Sequence, residues 1–169
     1  MRLWMKAGGL LAVGLFMAVV GYPMLHETGH MLAALISGGK VVKLLVYPQP
    51  GVLCEVSRVS EAGIVLISLG GMLLPLLFAM LPIYKRFWLW YAGFVLRGIC
   101  LLSFVLSAVA SVAFAMGAPI AEDDVTRVLE RFPDGVWLLC TAFAAASVLT
   151  VFFMIQSRPL RQITCYFDL

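Results

Sequence analysis

Charge is scarce in this chain. Asp, Glu, Lys and Arg make up only 12% of its 169 residues, against 63% hydrophobic. A soluble domain of this size has too little interior to hide that much apolar surface. The net charge of +3 is spread thinly and no basic block stands out, so no nucleic-acid footprint is expected. Four cysteines are present (Cys54, Cys100, Cys140, Cys165), without paired spacing. Cys100 and Cys140 lie in apolar runs and read as buried packing residues, not as disulfides or a zinc knuckle. There is no internal repeat and no low-complexity tract.

What the chain does have is long apolar runs. Runs of about 18 residues or more read as membrane spans. Four are expected, at about 3–36, 62–84, 87–117 and 136–155. Arg2, Lys6 and the apolar run after them mimic a secretory signal, but no small-residue cleavage site follows, so an uncleaved first span is expected. As one straight helix the first run would be ~50 Å long against a hydrocarbon core of ~30 Å, so it must kink, tilt or protrude. Pro23 is the expected kink, because it cannot donate to the carbonyl of Val19. Trp88, Trp90 and Tyr91 read as an interfacial aromatic belt, with Arg97 snorkelling near that interface. Ser107 and Ser111 give a small-residue face for helix packing.

Two segments differ from the spans. Residues 40–59 alternate in polarity around "YPQPG", which predicts a hairpin of strands Val41–Tyr47 and Val52–Val59. In "APIAEDDVTRVLERFPDG", Val125, Val128, Leu129 and Phe132 recur at helical spacing. A short amphipathic helix follows, capped by Asp123 or Asp124 and stopped by Pro133. The expected fold is an all-α integral membrane protein of about four transmembrane helices in a single domain, 1–169. A short β-hairpin follows the first helix, and a short amphipathic helix precedes the fourth. Four spans put the end of the first and the start of the fourth on one side of the membrane. Orientation is open: six basic residues fall on one side and five on the other.

The polar residues that remain are concentrated in "YPMLHETGHMLAAL". It holds the only two histidines, His26 and His30, with Glu27 between them. On a helix, residues four apart share a face, so His26 and His30 can hold one zinc ion through their ring nitrogens. Glu27 can take a proton from the zinc-bound water and pass it to a leaving amine. Two histidines and a glutamate that is no ligand, at H-E-x-x-H spacing, are what metal-assisted peptide hydrolysis needs. Gly29, between the ligands, leaves room for substrate or another helix. A catalytic zinc needs a third protein ligand, and with no third histidine it should be an acid. Asp123 and Asp124 are the best placed, with Asp134 the rival and Glu122 also possible. Ordinary helix capping by Asp123 or Asp124, and an ordinary Asp-Gly turn at Asp134, are the competing roles. For the protein as a whole, the competing reading is a non-catalytic membrane protein that uses the site for metal binding or assembly.

"HETGHMLAALISGGKVVKLLVYPQPGV" resembles the start of the site-2-protease-type intramembrane zinc metallopeptidases, peptidase family M-fifty, and most of all their short bacterial M-fifty-B-like branch. "DDVTRVLERFPDGVW" resembles the aspartate segment of that branch, and the likeness covers roughly residues 14–156. The resemblance implies that His26 and His30 are zinc ligands, that Glu27 is the catalytic acid/base, and that Asp124 or Asp123 is the third ligand. It implies an intramembrane endopeptidase in a bacterial inner membrane, acting on membrane-protein or peptide substrates, with the lipid bilayer as its other partner and no nucleic acid. The chain departs from the pattern in "LGGMLLPLLFAM", where Leu74 or Pro75 replaces a common asparagine, and in "FPDG", which lacks the usual leucine before Asp-Gly. It carries no PDZ or CBS module. The hairpin at 40–59 would either pair an extended substrate along its edge or simply cover the site.

Overall fold

Pro23 has no N–H to offer the carbonyl of Val19, and the first long helix reorganises just ahead of it. In the computed structural model, which describes residues 2–45, 50–81, 86–118 and 123–168, helix α1 (Arg2–Phe16) runs into a π turn (Met17–Gly21) and then helix α2 (Tyr22–Ile36). The Tyr22 N–H bonds the carbonyl of Met17, five residues back. The irregularity expected at Pro23 is therefore spread over the turn before it, and Pro23 sits in the first turn of α2.

Strands β1 (Lys40–Leu45) and β2 (Gly51–Glu55) form the antiparallel hairpin, with a bulge between Val41 and Lys43. β1 starts one residue earlier than the alternation suggested, and β2 starts one residue earlier and ends at Glu55, short of Val59. Residues 46–49, with most of the expected turn, lie outside the described residues. Helix α3 (Glu61–Met80) starts at Ser60, whose hydroxyl accepts from the Gly63 N–H at 3.2 Å. The expected end of this span, residues 82–85, also lies outside them. Helix α4 (Phe87–Ala115) is followed by Gly117 at φ +73°, the left-handed position where glycine ends helices without strain. Helix α5 (Asp124–Arg131) is the short amphipathic helix, a 3-10 turn (Pro133–Gly135) follows, and α6 (Val136–Gln156) is the last long helix. Four stretches, Leu3–Ile36, Glu61–Met80, Phe87–Ala115 and Pro133–Phe167, are long and apolar enough to cross a membrane. The protein is a multi-pass membrane protein.

Helix α7 (Pro159–Asp168) has no counterpart in the sequence reading. Arg158 takes a left-handed conformation (φ 49°) and turns the chain there. The Tyr166 ring then stacks on Phe87 at 4.0 Å, and Lys6 Nζ donates to the Tyr166 carbonyl at 2.8 Å. Arg97 corrects an expectation as well. It does not snorkel: it is only 5% exposed, and its Nε donates to the Ala79 carbonyl at 2.9 Å. A charge at that depth is tolerated because helix α3 supplies the acceptor.

The core lies between α3, α4, α5 and α6, around Met72, Leu96, Phe104 and Phe143. Val125 and Leu129 of α5 are completely buried in it, while the expected fourth member of that stripe, Phe132, is exposed. The apolar face of α5 thus plugs the bundle and fixes the first residue of the helix, Asp124, beside the middle of α2.

Candidate metal centre

Helix periodicity puts His26 and His30 one above the other on α2. Their ring centroids are 4.6 Å apart, the planes nearly perpendicular, and the two Nε2 atoms approach to 3.0 Å. His30 Nδ1 lies 2.6 Å from the carbonyl of Ile67 on α3. With Nδ1–H donating to that oxygen, the Nε2 lone pair faces its partner histidine, the tautomer a metal ligand requires. His26 Nδ1 is buried and has no partner among the described residues.

Close helix approach makes this geometry possible. A Cβ placed on Gly70 would stand 2.7 Å from the Gly29 carbonyl oxygen and 2.8 Å from the Ala33 Cβ. One placed on Gly71 would stand 2.7 Å from His26 Cε1 and nearer still to His30 Nε2. So α3 brings bare backbone against the imidazoles. Gly29 was legible as a clearance position, but Gly70 and Gly71 were not recognised as its partners. Their signal was the paired glycines inside an apolar helix, the small-residue mark of a tight crossing.

Of the four candidate acids, Asp124 meets the histidines. Its Oδ2 lies 3.1 Å from His26 Nε2 and 3.0 Å from His30 Nε2. The three donor atoms thus form a nearly equilateral triangle. A tetrahedral ion with bonds of about 2.0–2.1 Å holds its ligands about 3.3 Å apart, so a few tenths of an ångström separate these donors from that spacing. Burial acts to raise the Asp124 carboxyl, but the hydrogen bonds to His26 and His30 prevail and hold it below the usual carboxylate range. Asp123 is committed elsewhere. As the cap of α5 its Oδ1 accepts from the Thr126 N–H at 2.8 Å, and Thr126 Oγ1 accepts from the Asp123 N–H at 2.7 Å. Asp134 lies in the 3-10 turn beyond α5 and forms no ion pair with either histidine, and Glu122 falls outside the described residues.

Glu27 stands beside the triangle. The ligand atoms of His26, Glu27 and His30 lie within 4.8 Å of one another, and this group could hold a metal ion. The shorter distances favour Asp124 over Glu27 as the third donor, because Glu27 Oε2 already accepts the Val52 N–H of β2 at 2.9 Å. That contact, too, was not foreseen. It identifies which edge of the hairpin faces the site.

A cavity of about 630 Å³ opens over these groups, walled by β2, by α3 and by the polar face of α5. Cys54 lines it, but burial and the Glu27 carboxylate raise its thiol, so it offers no thiolate. At the rim, Arg131 of α5 pairs with Glu61 of α3 at 2.8 Å. Chemically, the arrangement combines two imidazole nitrogens, one carboxylate oxygen, a second carboxylate held from the side, and a water-accessible space above them. The chain matches no protein-family model, no curated protein and no solved structure.

Proposed function

We infer that the protein is a zinc metallopeptidase of the site-2-protease type, cutting peptide bonds of membrane proteins within or near the bilayer. The observation that carries this reading is the single oxygen, Asp124 Oδ2, within 3.1 Å of both histidine Nε2 atoms while Glu27 stays outside that triangle. Three ligands with a separate carboxylate describe a hydrolytic site better than a storage or structural one, which would close the fourth position.

His26, His30 and Asp124 would hold the ion. When bound, zinc supplies polarisation of a carbonyl and lowers the pKa of water at the site. Glu27 takes the proton from the attacking water. As the C–N bond breaks it returns that proton to the departing amine. The Val52 N–H fixes one carboxylate oxygen and leaves the other for this transfer. In an antiparallel pair, backbone groups alternate toward and away from the partner strand. Since the Val52 N–H points at Glu27, the main-chain groups of Val52 and Cys54 face away from β1 and toward the cavity. An extended substrate segment can pair there, which would bring its amide beside His26, Glu27 and His30.

The test is Glu27→Gln in the whole chain. Metal content should stay unchanged, and cleavage of an unstructured probe such as casein should fall by about 10²–10⁴-fold. Cleavage at the original rate in that variant would come from outside this site and overturn the peptidase reading, leaving a metal-binding protein without catalysis.

A further inference from the structure

One hydroxyl in the cavity is left without work. Five buried side chains among the described residues carry a hydroxyl: Ser68, Ser107, Ser111, Thr126 and Thr150. Ser107 donates to the Met72 sulfur, Ser111 to the Ser107 carbonyl and Thr150 to the Ala146 carbonyl, and Thr126 belongs to the cap of α5. Ser68, 6% exposed, makes no side-chain hydrogen bond among the described residues. A helical serine ordinarily returns its hydroxyl to the carbonyl four residues back, as Ser111 and Ser147 do. Ser68 does not, and its Oγ is not one of the fully buried unpaired atoms, so the hydroxyl is open to the cavity that the residue lines.

Its position is equally specific. Ser68 lines the same cavity as His26, Glu27 and His30. It follows Ile67, whose carbonyl orients His30, and precedes by three residues Gly71, which lies against both imidazoles. Residues three apart on a helix share a face, so the face of α3 that meets the metal centre is the one that carries this hydroxyl.

We propose that Ser68 is a catalytic residue of the peptidase inferred above: its hydroxyl donates a hydrogen bond to the carbonyl oxygen of the scissile peptide bond as that oxygen gains negative charge. The step transfers no proton from Ser68. Water oxygen bonds to the carbonyl carbon, the C–N bond breaks, and the proton travels through Glu27 to the amine. Ser68 only stabilises the charge on the oxygen, in a partly enclosed setting where a placed donor counts for more than in water. The unpartnered hydroxyl in the free protein is then a donor kept ready for substrate. The proposal rests on the peptidase reading.

The experiment compares the zinc-loaded full chain with Ser68→Ala and Glu27→Gln, using casein as probe, together with metal analysis and thermal unfolding. The expected result for Ser68→Ala is a saturated rate lowered by about tenfold or more, with KM and metal content unchanged and an unfolding temperature equal or higher. Loss of activity without loss of stability is a signature a merely structural serine does not give. If Ser68→Ala cleaves at the original rate while Glu27→Gln is inactive, this proposal falls and the peptidase reading stands. If metal or stability is lost along with activity, Ser68 is structural and the proposal also falls. If the unaltered chain does not cleave casein, or Glu27→Gln cleaves it as well as the unaltered chain, both fall together.

Discussion

Asp124 Oδ2 lies 3.0 Å from His30 Nε2, while its neighbour Asp123 turns to Thr126 and caps the helix. Two adjacent carboxylates therefore hold different tasks, and they should separate on substitution. Asp124→Ala is expected to release the metal on dialysis. Asp123→Ala is expected to keep it and to lose roughly 1 kcal/mol of stability, the usual worth of such a cap. Metal analysis and thermal unfolding of both variants check this, and metal loss from Asp123→Ala alone would reverse the assignment.

Gly71→Ala should damage the centre without touching any ligand. The new methyl would overlap the His30 ring, and the backbone of α3 cannot retreat without parting from α2 at Gly29. Metal affinity is expected to fall by about 10–100-fold, as for other supports of metal ligands. Competition with a graded series of chelators would measure it. An unchanged affinity would mean that the helices slide apart freely.

Val52→Pro removes the N–H that Glu27 accepts. That N–H points away from β1, so the hairpin ladder keeps its bonds and proline is tolerated, as on other strand edges. Cleavage should fall while metal content holds. If the rate were unaffected, the Glu27–Val52 bond would have no part in orienting the carboxylate.

Acid should weaken the metal-free protein through Asp124. Its folded-state pKa lies below the unfolded value of about 3.9, so its share of stability is present above that value. The share is lost as pH falls through the folded pKa. The unfolding temperature is expected to drop more steeply below about pH 4 in the unaltered protein than in Asp124→Asn. Parallel curves would show that Asp124 is not stabilised in the fold.

The parts of this arrangement legible from sequence are those governed by local periodicity. His26 and His30 share a face because they are four apart, and the apolar stripe of α5 follows the same rule. The choice between Asp123 and Asp124 is of another kind. Both suit a cap, and a shift of one residue in the start of α5 would exchange their roles, so only the docking of Val125 and Leu129 into the core decides. Arg97 misled because its acceptor, the Ala79 carbonyl, belongs to a different helix, and backbone acceptors leave no trace in residue identity. Helix α7 was missed because a non-glycine residue, Arg158, makes the left-handed turn that starts it. The pairing of Gly29 with Gly70 was half visible. A glycine announces clearance, but not which partner uses it.

The π turn at Met17–Gly21 takes up one residue between two fixed contacts. A π turn accommodates one more residue than the α-helix it interrupts, and each residue turns a helix by about 100°. Helix α1 is keyed against Trp88 at Gly9, and α2 is keyed against Gly70 at Gly29. The wide turn absorbs the extra residue, so both keys fit at once. Remove one residue between 17 and 21 and the wide turn can close to ordinary α-helix, with His26 and His30 still facing Asp124. The slack in this long helix is thus stored a full turn before the first histidine of the candidate site.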